Sequence, residues 1–226
     1  MLPADAAFDR GLLALHLERY KLAAEYVRDA DVVDCACGTG FGSAVLLQAG
    51  ARSVQGVELD RAALEYARSR HAHDGIRYYE ADALRFAPTP QPSVWVSLET
   101  VEHLPNPTAY VAHVAQVLPK GGRFIASVPV TVSTDGNPHH LHDFTRASFR
   151  RLLTANGFRE IRAVEQSLRF SLSDLFGRSR RGRRRDRRHG LLRWYARNPR
   201  VLAKRVQLTL TKGFVNEYLT IVAELR

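Results

Sequence analysis

At 226 residues, with 45% hydrophobic and 25% charged positions, the chain can bury one sizeable α/β core and is too short to favour two full domains with a linker. No run of about 18 apolar residues is present, and MLPADAAFDR lacks the basic start and apolar middle of a secretory signal. The composition therefore reads as a cytosolic protein, and Cys35 and Cys37, one residue apart, read as reduced bystanders with poor geometry for a disulfide and too few ligands for structural zinc. The net charge of +10 is local: Arg178 to Arg205 holds twelve Arg and one Lys against Asp186, a balance of +12 that leaves −2 elsewhere. Basicity thus describes one appended surface and not the fold that carries it.

In chain order, FDRGLLALHLERYKLAAEYV has apolar residues at helical spacing and reads as a helix on a core, within an N-terminal cap over residues 1–28. The period then changes. DVVDCA, SVQGVEL, IRYYEA, SVWVSL and GRFIASV are short, apolar and β-branched, and they alternate with the helical stretches SAVLLQAG, RAALEYARSRH and PTAYVAHVAQVL. Such alternation means βαβ units and a parallel sheet covered on both faces. RASFRRLLTANGF is a further helix ended by Gly157, and FREIRAVEQ and FVNEYLTIVAEL are the last two strands. Between them, over residues 167–213, lies a basic insertion whose low-complexity part, RSRRGRRRDRRHG, cannot bury a core.

The first strand runs into VVDCACGTGFGS, which turns through Gly38, Gly40 and Gly42 into a helix. Glycines there let the backbone approach a ligand. The next strand ends GVELD, placing Glu58 about 20 residues on, where an acid can bind the hydroxyls of a ribose. The glycines are separated by single residues, which departs from the dinucleotide GxGxxG spacing.

On these residues the chain resembles the class I S-adenosylmethionine-dependent methyltransferases, whose first motif DxGxGxG is matched by Asp34, Ala36, Gly38 and Gly40, with Ala36 in place of the first glycine. The resemblance implies a three-layer, Rossmann-like sandwich with seven strands, mostly parallel, and an antiparallel last strand, in a single domain over 1–226. It implies S-adenosylmethionine as cofactor, with Asp34 and the glycine loop at its methionine end, Glu58 and Leu59 at the ribose, and Asp82 and Ala83 at the adenine. Glu99 contacts the cofactor, and Arg19 and Tyr20 close over it.

SLETVEHLPNP puts Glu99, Glu102 and His103 where the fourth strand ends, and in open α/β sheets ligands bind outside the carboxyl ends of the strands. Methyl transfer to a hydroxyl needs its proton removed or its alkoxide stabilised. His103 can act as general base, or a divalent cation can lower the hydroxyl pKa. NPHHLHDFT, after the fifth strand, adds His140, so that Glu99, Glu102, His103 and His140 form a candidate site for Mg or Mn, and His103, Glu102 and His140 the candidate catalytic set. That spacing is similar to the magnesium site of small-RNA 2′-O-methyltransferases and to ubiquinone-pathway O-methyltransferases. Many class I enzymes carry a similar segment with no metal, in which case His103 is a base or pocket residue, and His139 and His142 are ordinary loop histidines. The combined motifs look most like methyltransferases of glycan biosynthesis, which implies a sugar hydroxyl on a glycan, glycolipid or glycosylated natural product as acceptor. RNA, or a small vicinal diol, catechol or carboxylate, is the alternative.

In GLLRWYARNPRVLAKRVQLTL, basic residues interleave with Leu191, Leu192, Trp194, Tyr195, Leu202 and Val206. This suits an interfacial helix on anionic lipid, split in two by Pro199, with the enzyme peripheral to a membrane. RNA phosphates and bases are the second candidate partner, and a solvated loop over a core-packed helix is the plain alternative. The oligomeric state has no sequence signal.

Overall fold

In the computed structural model of the chain, the described residues are 10–131, 140–170, 195–197 and 199–226. Helix α1 (Arg10–Ala24) is followed by β1 (Asp31–Cys35), α2 (Phe41–Gln48), β2 (Ser53–Glu58), α3 (Arg61–Arg70), β3 (Ile76–Glu80) and β4 (Val94–Leu98). After a 3₁₀ turn at Val101–His103 come α4 (Pro107–Val117), β5 (Arg123–Pro129), α5 (Arg146–Ala155), β6 (Phe158–Phe170), α6 (Pro199–Lys212) and β7 (Phe214–Leu225).

The seven strands form one sheet in the order β3-β2-β1-β4-β5-β7-β6. Pairings from β3 through β5 are parallel, and β7 runs antiparallel to both β5 and β6. This is the class I architecture expected from the sequence. Successive strand residues point to opposite faces, so each strand feeds two cores. Val33, Trp95 and Phe124 join Tyr110 and Val114 of α4 and Phe149 and Leu153 of α5 on one side. Val32, Val96 and Ile125 join Tyr20 and Ala23 of α1 and Leu46 of α2 on the other.

A hydrogen-bonded chain runs through the interior: Trp95 Nε1 donates to Tyr110 Oη at 3.0 Å, which donates to Ser97 Oγ at 2.8 Å. Helix starts follow capping chemistry. Asp60 accepts from the N–H of Ala62, Asn106 from that of Ala109 ahead of Pro107, and Thr145 and Ser148 close a capping box on α5.

Two boundaries differ from the sequence reading. The first helix ends at Ala24, four residues inside the expected cap of 1–28. Strand β6 runs on to Phe170, because Ser167 through Phe170 continue to pair with Glu217 through Phe214, so the insertion begins after 170 and not at 167. Pro199 is the first residue of α6, where a missing N–H costs nothing, and residues 195–197 before it are helical, in keeping with the division expected there. The arginine-rich stretch 171–194 and His139 lie outside the described residues.

Candidate active site

The order of the strands reverses between β1 and β4, and every candidate residue on the sheet lies at the carboxyl ends flanking that point. Asp34, the fourth residue of β1, is fully buried and accepts hydrogen bonds from Tyr20 Oη at 3.1 Å and Ser43 Oγ at 2.7 Å. Burial pushes its carboxyl up to about 6, against the two hydrogen bonds that favour the anion.

The glycines of the following loop have separate tasks. Gly38 has φ +54° and open space where a Cβ would stand, so a ligand can approach the loop closely there. A Cβ on Gly42 would instead fall 1.9 Å from the Tyr20 ring. Ala36, in the place of the motif's first glycine, also has φ +59°, a left-handed conformation that L residues resist. The substitution therefore adds backbone strain.

At the end of β2, Glu58 Oε2 accepts from Gly38 N at 3.0 Å, and Oε1 accepts from Leu59 N at 2.8 Å and Asp60 N at 3.0 Å. The acid thus ties the glycine loop to the second strand. Leu59 beside it is 65% exposed, an aliphatic surface of the kind a nucleoside can cover. After β3, Asp82 accepts from Leu84 N at 2.9 Å and Ala83 is buried.

Glu99 leaves β4 with φ +53°. Its strain is held by Ser127 of β5: Glu99 N donates to Ser127 O and Oγ, and Ser127 Oγ donates to Glu99 Oε1 at 2.7 Å. The same Oε1 lies 3.5 Å from Arg19 Nη1. Arg19 is 1% exposed, donates from Nε to Gln166 Oε1 at 2.8 Å, and lies over the Tyr218 ring at 4.5 Å. Its Nη1 and Nη2 have no hydrogen-bond acceptor among the described residues. A buried guanidinium with two such donors is suited to a carboxylate, which it can grip with both.

Glu102 and His103 lie in the 3₁₀ turn. The Glu102 side chain is fully buried, and its Oε1 is 3.9 Å from His103 Nε2 and 4.0 Å from His140 Nε2. The two rings meet edge to face at 4.5 Å. The loop after β5 is fixed to this turn through its backbone, since Leu141 N and His142 N both donate to Glu102 O, at 2.9 and 3.2 Å. The structure thus brings together Glu102, His103 and His140, with one ligand atom of each within 4.8 Å of the others. Glu99 is not in this group: its carboxylate is engaged by Ser127 and Arg19, which removes it from the expected metal set. His142 turns to Phe144, with ring centroids 6.4 Å apart.

Several contributors were not singled out in the sequence. His16 stands one helical turn before Arg19 and Tyr20, and burial together with Arg19 holds its pKa down to about 4. The i, i+3 and i+4 spacing was the available signal. Ser43 closes the glycine-loop segment itself, nine residues after Asp34, whereas Ser127, Gln166 and Tyr218 reach the site from distant elements and no local pattern marks them.

Residues 33–126 match the family model described as "Methyltransferase domain". Solved structures agree over nearly the whole chain. A Bacillus halodurans protein superposes with a TM-score of 0.70 at 17% identity, covering 92% of this chain and 97% of its own. The N-methyltransferase NodS of Bradyrhizobium japonicum, solved with S-adenosyl-L-homocysteine, superposes with a TM-score of 0.63 at 12% identity, covering 96% and 89%.

The chain has the class I methyltransferase fold.

Among curated relatives, a "Probable S-adenosylmethionine-dependent methyltransferase" of Mycolicibacterium smegmatis is 31% identical over 147 residues, 62% of this chain and 56% of that protein. A ubiquinone biosynthesis O-methyltransferase of Nitrosococcus oceani is 33% identical over 116 residues, 47% and 49% of the two chains. The chain thus spans about half the length of the curated relatives it matches. The residues expected at the cofactor, Arg19, Asp34, Gly38, Glu58 and Asp82, come from α1 and the β1 to β3 ends, while Glu102, His103 and His140 stand beyond β4 and β5.

Proposed function

We infer that the protein transfers the methyl group of S-adenosylmethionine to a hydroxyl oxygen. The observation that carries this reading is the buried Glu102 carboxylate with two imidazoles within about 4 Å of one of its oxygens, at the carboxyl end of the sheet. A carboxylate out of water is costly unless cationic or donor groups face it, so its placement there suits proton handling.

The cofactor fits the residues present: Arg19 offers two donors to the methionine carboxylate, Gly38 an open backbone, Glu58 a carboxylate for the ribose hydroxyls and Asp82 one for the adenine amine. When bound, S-adenosylmethionine supplies a methyl carbon on a sulfonium, which leaves as a neutral thioether when an oxygen lone pair attacks. His103 has the most exposed side chain of the three, 32% against 9% for His140 and none for Glu102, and so faces the acceptor. Its Nδ1, the ring nitrogen away from Glu102, takes the hydroxyl proton, and the Glu102 carboxylate, 3.9 Å from Nε2, stabilises the resulting imidazolium. His140 packs edge to face against the His103 ring and fixes its plane.

Glu102, His103 and His140 also form a donor set of one carboxylate and two imidazoles that would hold a divalent cation of the manganese, iron or zinc type, which lowers the pKa of a coordinated hydroxyl. Within hydroxyl acceptors, the likeness of the ETVEH and HHLH segments to glycan methyltransferases favours a sugar hydroxyl.

The test is formation of S-adenosylhomocysteine from S-adenosylmethionine over a panel of sugars, diols, amines and RNA. Turnover on a hydroxyl acceptor should fall about 100-fold or more in Glu102→Gln and His103→Asn, with cofactor binding unchanged. Turnover confined to amines, or undiminished in both variants, would overturn the reading.

A further inference from the structure

Helix α6 presents an apolar stripe to solvent. Leu202, Val206 and Leu210 recur every four residues and are 40%, 48% and 81% exposed, and Pro199 and Ala203 border them in a shallow trough. Aligned aliphatic side chains of this kind mark a surface that something covers.

The place of the stripe in the fold is defined by strand register. Tyr218 of β7 pairs with Pro129, the last residue of β5, so Phe214 through Glu217 run past the end of β5, paired there with Ser167 through Phe170. That hairpin extends about 13 Å beyond the parallel strands on their carboxyl side, and α6 joins it through Gly213. The stripe therefore belongs to the same end of the sheet as Glu102, His103 and His140.

Charge identifies the occupant. Arg197 and Arg200 are exposed at the start of α6, and the sequence from Arg178 to Arg205 carries +12. A second copy of the chain would bring like charges together. Nucleic acid would be served by rings, on which bases stack, but Leu202, Val206 and Leu210 are aliphatic. Aliphatic side chains bordered by arginine suit the boundary of acyl chains and anionic headgroups.

We propose that the exposed face of α6 is a docking surface for a bilayer rich in anionic lipid, and that it sets the acceptor end of the sheet against the membrane. The docking holds whichever acceptor the enzyme methylates.

Flotation of the full chain with vesicles tests it, comparing phosphatidylcholine alone with phosphatidylcholine containing phosphatidylglycerol, at about 0.1 M salt, where the Debye length is about 10 Å. Wild type should partition onto the anionic vesicles and not the neutral ones. The combined Leu202→Glu, Val206→Glu and Leu210→Glu variant should bind at least 10-fold more weakly, and Leu210→Glu alone, at the most exposed position, should show a loss in the same direction. Binding of S-adenosylhomocysteine in the same samples should be equal throughout, which separates a failure of docking from a failure of the methyltransferase reading. Wild type that ignores anionic vesicles, its stripe covered by residues 171–194 or by a protein, would overturn the proposal. So would vesicle binding unchanged by the substitutions, or variants that lose poly(U) RNA instead of vesicles.

Discussion

The ring of Tyr20 occupies the space that a side chain on Gly42 would need, with Tyr20 Cζ 1.9 Å from the position of that Cβ. The contact seats α1 on α2 and directs the Tyr20 hydroxyl to Asp34. Gly42→Ala should displace the ring, costing about 1–3 kcal/mol by overpacking, and should weaken S-adenosylhomocysteine binding because Tyr20 and Arg19 move together on α1. Chemical denaturation and calorimetric titration of the same variant check both effects. Unchanged stability would mean that α1 is not held by this contact.

Ala36→Gly is the converse case. Ala36 is held at φ +59° with its side chain exposed, so a glycine removes strain without removing a contact. The left-handed conformation costs an L residue about 1–2 kcal/mol, and glycine's freedom in the unfolded chain returns part of that. The variant should be more stable by about 0.5–1 kcal/mol, read as a rise in denaturation midpoint at constant slope.

Asp34 and His16 pull the pH dependence of stability in opposite directions. Asp34 is raised from 3.8 to about 6, so across that window the folded protein holds a proton the unfolded chain has released, and this contribution is lost as pH rises. His16 is lowered from 6.5 to about 4, so the unfolded chain takes up its proton first and stability is lost as pH falls. Relative to wild type, Asp34→Asn should gain about 2 kcal/mol between pH 4.5 and 6.5, and His16→Asn should lose a similar amount over the same range. Denaturation curves at both pH values measure the two differences, and equal signs would contradict the assignment.

Much of this molecule was legible in its sequence. Short β-branched runs alternating with amphipathic stretches located all seven strands, because a buried parallel sheet leaves few other compositions possible. The glycine loop and its tie to Glu58 were legible for a similar reason, since a tight turn and an acid one strand later are local features. What escaped was long-range. Nothing near Glu99 indicates that Ser127, 28 residues on, takes its carboxylate and removes it from the imidazole group. Nothing near Arg19 indicates that Gln166 and Tyr218 will bury and position it. The continuation of β6 to Phe170 depends on a partner strand 44 residues away, so the edge of the insertion could not be read locally.

The central claim is that Arg19 and the glycine loop hold S-adenosylmethionine while Glu102 acts on the acceptor. Its most direct test is calorimetric titration of S-adenosylhomocysteine into wild type, Arg19→Lys and Glu102→Gln. The account predicts saturable binding at one site in wild type, affinity about 10-fold or more weaker in Arg19→Lys, whose ammonium cannot grip a carboxylate with a planar fork, and unchanged affinity in Glu102→Gln. Absence of binding in wild type, or equal loss in both variants, would contradict it.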